Sequence, residues 1–269
     1  MTSSIHSNAI IDKTAKIADN VKISPFAIIG PEVIIHEGVE IYPHAYLEHC
    51  EIGKNTIISS GAIIGTAPQD LGYKGELTRV IIGENCQIRE HVTVNRASGE
   101  GTITSIGNNC LLMTGSHVAH NCKLADNVIL ANLATLGGHV TIESFAFVGG
   151  MVVVHQHARI GEMAIIGGFS GVRQDVPPYA KTDGRPAAII GLNSIGLKRR
   201  GLTPEERKAL KYAFNYIWFS GLNTRQGIEK IQQTLDSNKY IDHLIEFIHS
   251  SKRGVIKNSG RQEQEFDDD

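Results

Sequence analysis

An aliphatic residue recurs at every sixth position from Ile5 to about Val176. The run is unbroken from Ile106 through Leu112, Val118, Leu124, Leu130, Leu136, Ile142, Val148, Val154, Ile160 and Ile166 to Val172. A small or β-branched residue follows each of these four places later, as at Cys110, Ser116, Cys122 and Ala134. Neither the helical period nor simple strand alternation produces such a beat. It fits a parallel β-helix, in which each hexad is one short strand and a turn. Three hexads close a triangular coil, so residues eighteen apart stack at about the ~4.8 Å spacing of neighbouring strands. The period therefore predicts which distant residues meet.

The beat is interrupted. It slips by one residue near Cys50, resumes at Ile52, breaks over 66–79, returns at Ile82, and breaks again over 95–105. Loops that leave a rigid solenoid and return in phase are candidates for substrate handling; the bland alternative is a tolerated insertion. The solenoid with its connector is expected over residues 1–194.

The repeat stops at Asp175-Val176-Pro177-Pro178-Tyr179, where two prolines oppose regular structure. The period then becomes helical. Thr203-Pro204-Glu205-Glu206 reads as N-cap, first-turn proline and capping box. That helix is expected to run to about Ser220, with two more over 224–235 and 240–250. Phe214, Ile217 and Trp218 are expected to pack on the solenoid or on a neighbouring subunit. A helical domain is thus predicted over 195–253, with 254–269 a disordered polar tail that is acidic at its end.

Lys and Arg total 26 against 28 Asp and Glu, a balance that does not point to nucleic acid. No stretch is long and apolar enough to span a bilayer, and the N-terminus lacks a signal pattern, so a cytoplasmic protein is expected. Of the four cysteines, Cys86, Cys110 and Cys122 fall on the small-residue beat and should point inward. There is no C-x-x-C pair to suggest a thiolate metal site.

Six of the twelve histidines lie between His91 and His157. Adding eighteen to Asn121 gives His139, then His157. Adding eighteen to His120 gives Gly138, then Gln156. His155 belongs to the adjoining stack. One corner of successive coils is therefore predicted to carry these groups; the bland alternative is a polar ladder on a turn. Two chemistries suit it. A near-neutral histidine can take a proton from a sugar hydroxyl attacking an acyl carbonyl, with the Gly138 N–H stabilising the oxyanion. Alternatively, three histidines shared between subunits could hold Zn²⁺, as in a β-helical carbonic anhydrase.

Several stretches together resemble the UDP-N-acetylglucosamine O-acyltransferases of lipid A biosynthesis. They are Gln69-Asp70-Leu71, His117-Val118-Ala119-His120, Gly137-Gly138-His139-Val140, Gly149-Gly150-Met151, Val154-His155-Gln156, Gln174 to Tyr179, and Gly196 to Gly201. The resemblance covers nearly the whole chain. It implies a left-handed β-helix with a C-terminal helical domain, assembled as a homotrimer with the active site between subunits. It also implies a cytoplasmic bacterial enzyme that moves an (R)-3-hydroxyacyl chain from acyl carrier protein to UDP-N-acetylglucosamine. No cofactor and no metal are implied, and neither nucleic acid nor membrane insertion. The acidic carrier protein would dock on local basic residues.

By the same resemblance His120 is the general base and Gly138 supplies the oxyanion N–H. His139, His155 and Gln156 contact the sugar nucleotide and the thioester side of the cleft, which His117 also lines. Gln69 and Asp70 hold the glucosamine. Arg199, expected just before the first helix, reaches the UDP phosphates, as a guanidinium suits; the bland alternative is a solvated Arg199-Arg200 pair. Gly168 is the acyl-chain ruler, some coils past the base, and leaves the groove open to long chains; the bland alternative is a turn glycine. Three positions depart from the family pattern. Asn121, grouped with the substrate-binding residues, stands where an aspartate is usual, so that either its amide or a backbone carbonyl must orient His120; Gly72 stands where many members have lysine, and Asn95 where some have histidine. An N-acyltransferase acting on a 3-amino UDP-sugar is the neighbouring alternative.

Overall fold

Ile106 pairs with Leu124, Leu124 with Ile142, and Ile142 with Ile160, each step eighteen residues and each parallel. This is the register the six-residue beat predicts. The computed structural model describes residues 3–258. They form a left-handed parallel β-helix followed by α-helices. Among the described residues, the strands stack into sheets of eleven, nine and eight. The first sheet starts at Ser4–Ile5, the second at Ile10–Ile11 and the third at Lys16–Ile17.

The interruptions are visible as changes of register. Ile35 pairs with Ile52, seventeen residues on, which is the slip at Cys50. Ile52 pairs with Ile82, thirty residues on, because the first loop adds twelve. Ile82 pairs with Ile106, twenty-four on, because the second loop adds six. Both insertions leave from a strand of the second sheet and return to a strand of the third. They therefore emerge at one corner of the triangle.

Side-chain direction follows the beat. From Val21 on, the aliphatic positions and their small companions fill the interior, Cys86, Cys110 and Cys122 included, while Ile5 on the first coil is exposed. The tight corners are made by residues at positive φ, among them Asn121 (59°), His139 (60°) and His157 (64°). Few non-glycine side chains adopt this conformation without a reason; asparagine, with a short polar side chain, is the easiest.

The hexads stop near Val176, but the first sheet continues. Ala180–Asp183 pairs in parallel with Ile165–Ile166, and Ala188–Leu192 returns antiparallel to it. An unforeseen short helix, α1 (Ser194–Arg199), comes next. Arg199 is its last residue rather than a residue ahead of the first helix. The capping box at Thr203 and Glu206 is formed and opens α2 (Pro204–Phe214), which runs on as a π-helical turn, Asn215–Phe219. α3 (Thr224–Thr234) and α4 (Lys239–Ser250) follow. Phe214, Ile217 and Trp218 are buried within their own chain. The start of the expected tail is also structured: Val255 bridges to Asp175 and Asn258 to Ile189. Ile256 is buried, and its carbonyl accepts the Trp218 Nε1–H at 3.1 Å. An apolar pair and two bridges outweigh the segment's polar composition. The acidic stretch 263–269 lies outside the described residues.

Candidate functional site at the histidine corner

The corner between the second and third sheets carries His120 and Asn121, then Gly138 and His139, then Gln156 and His157 on successive coils. His139 and His157 are stacked, with ring centroids 4.6 Å apart and planes 16° apart. His120 meets His139 edge-on at 5.3 Å. His120 also lies directly over Gly138: a Cβ there would sit 2.6 Å from both Cε1 and Nε2 of the imidazole. Only glycine allows this approach. Among the described residues no hydrogen bond occupies the Gly138 N–H.

His120 Nδ1 is 2.8 Å from Asn121 Oδ1. The orientation of that carboxamide is set by the backbone of Ser98: its N–H donates to Oδ1 at 3.0 Å, and its carbonyl accepts from Nδ2 at 3.0 Å. Thr102 Oγ1 accepts a second bond from Nδ2, and the Asn121 N–H donates to Thr104 Oγ1. Oδ1 can only accept, so His120 donates from Nδ1, and in the neutral ring that tautomer has its lone pair on Nε2. Asn121 thus orients the imidazole directly.

His117 lies one strand before, its Nδ1 2.7 Å from Thr93 Oγ1. Burial, then the nearby His120, lowers its pKa. His139 is lowered by burial and by His157 and His120, against the opposing charge of Asp70. Asp70, on the first loop, accepts from the Gly72 N–H at 2.8 Å. That bond, the Ser98 side chain, and the charges of His120 and His139 hold its carboxyl below the usual range. The first loop therefore folds back to the histidine corner. Gln69 beside it is exposed.

The other expected residues are distributed differently. His155 is exposed, with Nδ1 3.0 Å from the Gln156 carbonyl and 3.3 Å from a guanidinium nitrogen of Arg253. Gly168 is not above His120. It lies between Ile165–Ile166 and Gly171–Val172, at the corner of the first and second sheets. Its distance in sequence from His120 is not a multiple of eighteen, so within one chain it lies some coils past the base but at another corner. Arg199 lies near the third corner, where the adjacent Arg200 stacks over Phe145 at 4.1 Å. One protomer brings together His117, His120, Asn121, Gly138, His139 and Asp70, and leaves Gly168 and Arg199 apart.

Sequence reasoning missed Ser98, Thr102, Thr104 and Arg253. The first three lie in or beside a loop already marked by the broken beat, and their hydroxyl and Gly-rich composition was the available signal. Arg253 gave none, because its place depends on the C-terminal segment returning to the solenoid. A separate cleft of about 650 Å³ lies on the outer face of the third sheet beneath α4, lined by Lys123, Glu143, Tyr240 and His243 among others. It contains no residue of the histidine ladder.

Comparison with known proteins matches residues 175–256 to a family described as UDP-N-acetylglucosamine O-acyltransferase, domain 2. Residues 103–138 match the bacterial transferase hexapeptide repeats, and residues 5–99 match the GMPPB C-terminal domain. An acyl-[acyl-carrier-protein]–UDP-N-acetylglucosamine O-acyltransferase of Chlamydia caviae is 48% identical over 261 residues, covering 96% of this chain and 94% of that protein. One of Thermodesulfovibrio yellowstonii is 47% identical over 256 residues, covering 94% and 99%. The solved UDP-N-acetylglucosamine acyltransferase of Bacteroides fragilis superposes with a TM-score of 0.92 at 37% identity, covering 94% of this chain and 100% of that one.

Proposed function

The chain belongs to the acyl-[acyl-carrier-protein]–UDP-N-acetylglucosamine O-acyltransferase family, and on that premise we propose that it performs the transfer by general-base catalysis from His120. The donor is an (R)-3-hydroxyacyl chain on acyl carrier protein, and the acceptor is the glucosamine 3-hydroxyl of UDP-N-acetylglucosamine, in lipid A biosynthesis. One observation carries the reading: His120 turns Nδ1 to the Asn121 carboxamide oxygen and lies over a glycine whose N–H is unpaired among the described residues.

The chemistry runs through those two atoms. His120 Nε2 takes the hydroxyl proton as the sugar oxygen bonds to the thioester carbon. Charge gathers on the former carbonyl oxygen, which the Gly138 N–H receives. Collapse breaks the carbon–sulfur bond, and the imidazolium returns the proton to the departing phosphopantetheine thiolate. The Asn121 amide keeps the ring in one orientation throughout. Gln69 and Asp70 hold the glucosamine, His139, His155 and Gln156 contact the sugar nucleotide and the thioester side, and His117 lines the cleft. No cofactor takes part.

Gly168 and Arg199 join this site across a subunit boundary. Each lies at a different corner from His120, so a groove using all three needs more than one chain. That separation supports a homotrimer, with Arg199 reaching the UDP phosphates and Gly168 bounding the acyl groove. Sedimentation of an active monomer would contradict it. No helix among the described residues is long and apolar enough to cross a membrane.

The test is an acylation assay with a panel of 3-hydroxyacyl carrier proteins, offering UDP-N-acetylglucosamine and its 3-amino analogue in parallel. The expected result is transfer to the 3-hydroxyl sugar. Preference for the amino sugar would make the enzyme an N-acyltransferase, and no transfer to either would sink the proposal.

A further inference from the structure

The 66–79 loop leaves the solenoid at Gly65, whose φ is +85°; a Cβ there would collide with the Glu48 carbonyl oxygen. The departure is tight, yet the loop itself is largely exposed. Its placement comes from the second loop. Arg96 Nη1 donates to Glu48 Oε1 and to the Gly65 carbonyl, both at 2.8 Å, and its Nε donates to Tyr73 Oη at 3.2 Å. The guanidinium also faces the Tyr73 ring at 5.6 Å. The Arg96–Glu48 pair is deep, with side chains only 13% and 19% exposed. Tyr46 donates its hydroxyl to the other Glu48 oxygen, and Tyr73 passes its own to the Glu76 carbonyl.

Further bonds run the same way. The Arg96 N–H donates to the Thr66 carbonyl, and Asn95 Nδ2 to Thr66 Oγ1 and the Ala67 carbonyl. The Gly101 N–H donates to the Leu77 carbonyl, and the Leu77 N–H to Glu100 Oε2. The second loop thus grips the first at its start, middle and end, while its Ser98 backbone holds Asn121. The mechanism above uses none of Arg96, Glu48 or Tyr73.

We infer that Arg96 is a positioning residue for the acceptor sugar: it locks the 66–79 loop against the histidine corner, so that Gln69 and Asp70 grip the hexosamine of a nucleoside diphosphate sugar. The inference rests on the proposed reading for the identity of that sugar. A guanidinium is suited to the task because its fixed fork serves Glu48, Gly65 and Tyr73 at once. A lysine ammonium can keep the ion pair but cannot span the same three partners. The base is attached to the same second loop through a different residue, so disturbing Arg96 should loosen sugar binding without changing the imidazole's tautomer.

The experiment compares wild type with Arg96→Lys and Tyr73→Phe; both keep Glu48 from being left with no cation, so both should fold. Kinetics are measured against each substrate, binding of UDP-N-acetylglucosamine by calorimetry, and loop mobility by tryptic cleavage after the exposed Lys74. For Arg96→Lys the expected result is a KM for the sugar nucleotide raised on the order of tenfold, the signature of lost binding, with kcat and the KM for the acyl donor little changed. Calorimetric affinity should fall in parallel, the acidic limb of the pH–rate profile should stay in place, and cleavage at Lys74 should accelerate. Tyr73→Phe should show the same pattern more weakly. A uniform loss of kcat with both KM values unchanged, or an unaltered sugar KM and cleavage rate, would overturn the inference. A wild type that acylates neither UDP-sugar while Lys74 still becomes labile in Arg96→Lys would overturn the functional reading and leave the loop lock standing.

Discussion

His120 Nδ1 stands 2.8 Å from Asn121 Oδ1, and the same oxygen accepts the Ser98 N–H at 3.0 Å. One asparagine therefore ties the imidazole to the loop beside it. Replacing His120 with alanine should lower kcat by about 10²-fold or more, the usual loss on removing a general base. The fold should persist, since the side chain lies on a corner outside the solenoid interior. A folded variant with near-normal turnover, checked by circular dichroism and a steady-state assay, would refute the mechanism.

Asn121→Asp puts a carboxylate against the imidazole, which favours its protonated form. The acidic limb of the kcat/KM profile should move to higher pH. The same change sets an acceptor against the Ser98 carbonyl in place of the Nδ2 donor, so the 95–105 loop should exchange its amide hydrogens faster. A pH profile superimposable on wild type would show that Asn121 does not contact the titrating base.

Gly168 is exposed, and a Cβ there would meet only the Gly150 backbone, at 3.3 Å for the nearest atom. Gly168→Met should therefore fold and project its side chain outward. The wild type is expected to prefer 3-hydroxyacyl chains of around fourteen carbons, and the variant about ten, each unburied methylene costing roughly 0.8 kcal/mol. Competition between donors of different length reads this directly. Equal loss for all lengths would show that Gly168 does not bound the groove.

His243 on α4 bonds to Glu143 of the solenoid at 2.8 Å, with Arg159, Glu162, Tyr179, Lys239 and Glu246 nearby. The Glu143 bond raises the His243 pKa. Burial pushes the Glu143 carboxyl up, but His243, the Glu162 N–H and Arg159 outweigh it and lower the pKa. The histidine's contribution is present below its ordinary value of 6.5 and lost as pH rises through the raised folded value. The carboxylate's is present above 4.5 and lost as pH falls through the lowered one. Thermal stability should thus be favoured between those values, and His243→Asn should flatten the decline above pH 6.5. With both side chains partly solvated the effect should be at most about 1 kcal/mol. An unchanged slope in differential scanning calorimetry would exclude the pair as its source.

Activity should survive dialysis against a chelator, because the proposed steps need only a proton acceptor and a fixed dipole. His139 and His157 lie face to face, 16° from parallel, rather than converging their nitrogens on one point. Loss of activity restored by zinc would instead favour the lyase chemistry considered from the histidine cluster.

The hexad beat alone determined the solenoid, its inward cysteines and the stacking of His120 on Gly138, because a coil of constant length turns sequence spacing directly into distance. The capping box at Thr203 was legible for a similar reason: its bonds span three residues. What joins the loops to the site was not legible. Arg96 finds Glu48 across forty-eight residues, and Ser98 finds Asn121 across twenty-three, in segments where the beat is broken and spacing no longer measures distance. The same holds for the segment 254–258, polar in composition yet closed over Trp218. The unbroken beat from Ile106 to Val172 already put Gly168 at a corner away from His120, because their separation is not a whole number of coils; only the tertiary structure placed Arg199, because its position depends on how the chain turns after the hexads end.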